Sequence, residues 1–137
     1  MQASLDRFVQ AQAPVIERAM AELRAGRKTS HWMWFVFPQI QGFGHSPMAQ
    51  HFAIASRAEA EAYLLHPILG WRLRECTRLV NEVAGRSIEE IFGYPDYLKF
   101  RSSVTLFAHA SADNQVFVDA LRKYFGGEYD PATLDKL

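Results

Sequence analysis

Leu69, Leu73, Cys76, Val80 and Val83 step along the chain by four, three, four and three residues. That spacing puts all five on one stripe of an α-helix and scatters them in a strand. Arg72, Arg74, Glu75, Arg78 and Glu82 fill the rest of the cylinder, and Gly85 supplies the stop. A single-sided helix is stable only when its stripe is covered, so the rest of the chain must supply partners.

The same grammar recurs on both sides. Ser4 is placed to cap a segment carrying Leu5, Phe8 and Val9. Pro14 either kinks that segment or opens a second helix, with Val15, Ile16, Ala19, Met20 and Leu23 on one face and Gly26 as its end. Ser56 and Glu59, and again Ser87 and Glu90, have the three-residue offset of a capping box. His66-Pro67 breaks the chain before the striped helix. Pro95 starts a helix with Tyr97, Phe100, Val104 and Phe107 on one side. Asp113 is the expected cap of the next, which carries Phe117, Ala120, Leu121 and Tyr124 and stops at Gly126-Gly127. Asp130-Pro131 opens a last short helix with Leu134 and Leu137. The segment "HWMWFVF", residues 31–37, suits either a buried strand or a short helix capped by Ser30 and ended by Pro38. The lack of a partner strand favours the helix. The expected fold is therefore all-α, a single compact globular domain over residues 1–137 built from six to eight short helices. The fallback is an α+β fold with a small hairpin near residues 31–40.

Composition sets the outer limits. At 137 residues and 49% hydrophobic content, the chain buries roughly 68% of its unfolded surface without disulfides or a structural metal. Fifteen basic residues balance fifteen acidic ones, so no global field favours nucleic acid or an anionic membrane, and neither is expected as a partner. No signal peptide is expected at the start, because Asp6, Arg7, Glu17 and Arg18 interrupt every apolar run. The longest such run, Trp32 to Pro38, is far short of the ~20 residues that cross a bilayer. A cytoplasmic location follows as the expectation. The lone Cys76 lies on the apolar stripe and reads as a structural thiol.

The common chemical motifs are missing: no phosphate-binding GxxxxGK[ST], no GxGxxG, no HExxH, no CxxC and no GxSxG. No two of the five histidines stand three or four apart, so no metal site is expected. Two polar-studded segments remain. The first runs from Lys28 through Ser30, His31, Trp32 and Trp34 to Gln39, Gly44 and Ser46. Lysine offers a compact charge, an indole a flat face, and glycines a close backbone approach, a set suited to a planar anionic, nucleotide-like ligand. The alternative is that its aromatics are simply core. The basic cluster Arg24, Arg27 and Lys28 reads as a solvated helix end. The second segment brings Lys99, Ser102 and Ser103 within one helical turn, with Asp96 placed to pair with Lys99. Its serines either let another helix pack closely or line a pocket.

The strings "GRKTSHWMWFVFPQIQGFGHS", "EAEAYLLHPILGWRLREC" and "IFGYPDYLKFRSSVTLF" closely resemble an uncharacterised bacterial family, domain-of-unknown-function family eighteen-ten. The resemblance covers about Leu5 to Leu137 and implies a compact, mainly α-helical domain with no established activity. Its typical "GLG" stands here as "GFG", with Phe43 for leucine. Members often carry the label calpastatin, a function that does not transfer: a disordered inhibitor is poor in aromatics, and this chain is 13% aromatic.

Three functions fit. One is a small-molecule binding domain whose pocket joins residues 28–46 to residues 96–105. Another is an enzyme using that pocket, with His31 as general acid or base and Lys28 or Lys99 stabilising negative charge. The third is an interaction module with an exposed apolar patch and no deep hollow.

Overall fold

The computed structural model describes residues 4–137. Among them the fold is all-helical, with ten helices rather than six to eight: α1 Asp6–Gln12, α2 Ile16–Arg24, α3 Met33–Val36, α4 Pro47–His51, α5 Arg57–Leu65, α6 Leu69–Glu82, α7 Ile88–Phe92, α8 Asp96–Ala110, α9 Gln115–Phe125 and α10 Pro131–Leu134. The helix that the sequence did not announce is α4, a one-turn piece too short to show a period. Residues 31–37 contribute α3 and no hairpin. The extended contact near them is an isolated parallel bridge between Ile40 and Ile54.

The punctuation acts locally much as the sequence indicates. Ser87 and Glu90 complete a capping box, each side chain bonding the other residue's backbone N–H. Ser56 caps α5 by accepting the Glu59 N–H, but the Glu59 carboxylate reaches back to Ala55, one residue beyond the box position. His66 Nδ1 accepts from the N–H groups of Ile68 and Leu69 at the start of α6. Several expected caps differ. Leu5 rather than Ser4 stands at the start of α1, and Asp130 precedes α10 but takes the Thr133 hydroxyl instead of capping it. Asn114 rather than Asp113 stands at the start of α9, and no side chain caps it. Trp32 precedes α3, and Ser30 instead donates its hydroxyl to Glu22.

α8 is the central element and packs against α5, α7, α9 and α10. From Ser102 to Ala108 every residue of it is buried. A helix covered all round needs small or apolar residues on every face. This explains Ser102, Ser103 and Thr105, which are buried with Val104, Leu106 and Phe107. Ser102 Oγ lies 2.9 Å from Thr133 Oγ1 of α10, and Thr105 Oγ1 accepts the Asp130 N–H at 3.0 Å. These hydroxyls tie α10 to α8. α6 packs on α9, α2 and α5, burying Leu69, Leu73, Cys76 and Val80. Burial pushes the Cys76 thiol up to about 12, with Glu75 adding to the shift, so it is an unreactive core residue. Phe37, Phe92 and Phe100 form a cluster of edge-on and stacked rings that joins α3's end to α7 and α8. Among the described residues no helix is long and apolar enough to cross a membrane.

Candidate functional site

The Ile40–Ile54 bridge closes the base of an excursion. Ile54 donates its N–H to Gln39 and accepts that of Gln41, both at 2.8 Å, so residues 41–53 leave the core and return to it. Within the excursion Ser46 caps α4 by accepting the Ala49 N–H. Arg7 of α1 pins the returning strand of chain: its guanidinium donates to the carbonyls of His51 and Ala53 and to Glu59 of α5. The excursion thereby stands off the body and encloses an open cleft of about 1000 Å³ against α3 and the start of α8.

Apolar surface in this cleft comes from Met33, Trp34, Phe37, Phe43 and Phe52, and polar surface from Gln39, Gln41, Ser46 and Gln50. Among the described residues its charged or titratable groups are Arg7, His45, His51, Lys99 and Lys136, and no carboxylate lines it. A smaller hollow of about 210 Å³ adjoins it and is lined by Lys28, His31, Met33, Trp34, Asp96 and Lys99. Met33, Trp34 and Lys99 belong to both, so the indole of Trp34 and the Lys99 chain divide the two spaces. The Lys99 ammonium lies 5.6 Å from the Trp34 ring centroid, within cation–π range.

The smaller hollow is built on an ion triad. Lys28 Nζ sits 2.8 Å from Asp96 Oδ2, and Lys99 Nζ sits 3.6 Å from Oδ1. The Lys28 side chain is 8% exposed and that of Asp96 18%. Lys28 is therefore not a solvated helix end, as the basic cluster around Gly26 suggested. Its backbone N–H donates to Ile91 at 2.7 Å, and its ammonium lies 5.2 Å from the Trp32 ring.

Glu22 holds this loop in place. Its buried carboxylate accepts the N–H groups of Thr29 and Ser30, the Trp32 indole N–H and the Ser30 hydroxyl. Burial alone raises the Glu22 pKa. The hydrogen bonds from the Ser30 hydroxyl, the Thr29 and Ser30 amides and the Trp32 indole outweigh it and hold the pKa at about 2.

The family model for "Protein of unknown function (DUF1810)" matches residues 2–137. The chain belongs to the DUF1810 family. A crystal structure of a conserved hypothetical protein from Mycobacterium tuberculosis, Rv1873, is 61% identical, with 97% of this chain and 95% of that chain covered and a TM-score of 0.96. None of the curated proteins matches.

In this DUF1810 domain the sequence candidates divide. Lys28, His31, Trp34 and Lys99 meet at the small hollow, and Trp34, Gln39, Gly44, Ser46 and Lys99 line the large one. Trp32, Ser102 and Ser103 do not. Trp32 is 1% exposed and is held by Glu22. Ser102 and Ser103 are buried in α8; they serve close packing and border neither space. The site thus joins the tryptophan-flanked segment to the first turn of α8 rather than to its serine pair. Arg7, Phe43, Gln50, Lys136 and the anchor Glu22 are additions that sequence reasoning passed over. Among the described residues no group of His, Cys, Asp and Glu gathers to hold a metal ion.

The glycines of the DUF1810 excursion have structural reasons of their own. Gly42 adopts φ +104°, a region that L side chains rarely enter. A Cβ on Gly44 would stand 2.7 Å from the Ala49 Cβ, so Gly44 lets the loop lie against α4. Gly42→Ala is expected to lower stability by about 1–2 kcal/mol through backbone strain, measured by urea unfolding. The end of Lys136, which it would also touch, is flexible and can move aside. A neutral result would mean that the turn at residue 42 is not held in this conformation.

Proposed function

We propose that the protein binds a small organic anion with a flat apolar portion in the large cleft. The observation that carries the reading is the lining itself. A space of about 1000 Å³ with aromatic walls, several amides and cationic side chains but, among the described residues, no carboxylate suits an anion and disfavours a cation. Trp34 offers a face for stacking, and Gln39, Gln41 and Gln50 offer both donors and acceptors for fixing orientation. Binding is favoured over catalysis because, among the described residues, no hydrogen bond orients the exposed His31 ring, and a general acid or base needs a fixed geometry.

A thermal-shift screen of nucleosides, nucleotides and aromatic acids tests the reading. A ligand at one hundred times its Kd adds about 2.7 kcal/mol to stability, roughly 8 °C in Tm for a chain of this size. Trp34→Ala is expected to remove most of that shift. Absence of any shift across the screen, or a shift that survives Trp34→Ala intact, would overturn the assignment of the cleft.

A further inference from the structure

We infer that the small hollow is a phosphoryl subsite, so that the cleft's ligand is a phosphate monoester whose planar part lies along Trp34. This rests on the binding reading above and adds the chemical class of the ligand. Two ammonium groups share a single carboxylate at 2.8 and 3.6 Å, which leaves one positive charge in surplus beside the hollow. Each ammonium has three donors, and among the described residues each has only Asp96 as an ion-pair partner. Donors therefore remain for an oxyanion. His31 lines the same hollow and adds an N–H.

Size and position agree with a phosphate. A water occupies about 30 Å³ of liquid, so a hollow of about 210 Å³ has room for a tetrahedral oxyanion. Trp34 and Lys99, shared with the cleft, lead the remainder of the ligand from the hollow into it. The cleft's own guanidinium is already committed, since Arg7 donates to the carbonyls of Ser4, His51 and Ala53 and to Glu59. The lysine corner is thus freer than Arg7 to meet an anion.

The test is an NMR titration of isotope-labelled protein with inorganic phosphate. The Trp34 indole N–H and His31 ring resonances are expected to shift saturably, and Lys99→Gln to weaken that binding by about tenfold, the loss of one charge-assisted bond. His31→Gln, at an exposed position, is the second variant and is expected to weaken it in the same direction. Unmoved Trp34 and His31 signals, or equal affinity in both variants, would overturn the subsite. Adenosine and adenosine 5′-monophosphate then separate the two readings. If both raise Tm equally, the cleft reading stands and the subsite falls. If phosphate titrates the lysine corner while neither planar probe binds, the subsite stands and the cleft reading falls.

Discussion

Glu22→Ala is expected to destabilise the protein by about 3–5 kcal/mol at neutral pH, and Glu22→Gln by about 2 kcal/mol. Alanine leaves the N–H groups of Thr29, Ser30 and the Trp32 indole, and the Ser30 hydroxyl, without their acceptor. Each unsatisfied donor costs about 1–3 kcal/mol when buried, less where water can reach it. Glutamine keeps one carbonyl oxygen and loses the charge. The pH dependence separates a charge effect from a packing effect. The folded pKa of about 2 lies below the ordinary 4.5, so the unfolded chain takes up a proton first as pH falls. Glu22's contribution is complete above about 4.5 and is lost progressively toward 2. Urea unfolding of wild type and Glu22→Gln should therefore converge between pH 5 and roughly pH 2–3. A gap that stays constant with pH would show that the carboxylate charge is not what holds the loop. Because that loop carries Lys28 and His31, the same substitution is expected to weaken the proposed phosphate binding at the lysine corner without touching it directly.

The contrast between Glu22 and its neighbours shows where sequence pattern stops being informative. Ile16, Ala19, Met20 and Leu23 announce the buried face of α2 by their spacing, and all are buried. Glu22 sits on the flank of that face, a position that a solvated carboxylate occupies as readily. Its role is set by the loop that folds back over it. The long helices were legible because their periods and caps are local properties. α8 was legible as a helix but not as a central one. Its apolar positions suggest one buried side, whereas α5, α7, α9 and α10 cover it from several. That difference decides whether Ser102 and Ser103 face a pocket or a neighbouring helix. At the site, Lys28, His31 and Trp34 stood out because charge and indole lie side by side in a short segment. Lys99 stood out with them, and Asp96 only as its partner. Arg7 and Lys136 did not, since they reach the cleft from near the two ends of the chain.

Gly70→Ala is the substitution for which sequence and structure predict opposite signs. Gly70 lies in the first turn of α6, where helix propensity favours alanine over glycine by at most about 1 kcal/mol. A reading of the sequence alone would make the change a stabilising one. In the fold, a Cβ at this position would stand 2.1 Å from the Leu64 carbonyl oxygen and 2.9 Å from its carbonyl carbon. Both are backbone atoms of α5, so no rotamer change relieves the contact. Either α5 moves away from α6 or the first turn of α6 unwinds, and the Gly70 N–H bond to the His66 carbonyl goes with it. Overpacking of this kind costs about 3 kcal/mol, which outweighs the propensity gain and leaves a net loss of about 2 kcal/mol, or roughly 6 °C in Tm. The loss should reach the cleft as well. α5 carries Glu59, which holds both Arg7 and the Ala55 N–H at the end of the excursion. Gly85→Ala provides the comparison, because its Cβ would meet nothing within 4 Å and only the backbone strain of φ +73° remains, about 1–2 kcal/mol. Scanning calorimetry of the two variants should show the larger Tm loss in Gly70→Ala. A Gly70→Ala protein more stable than wild type would mean that α5 and α6 do not approach this closely.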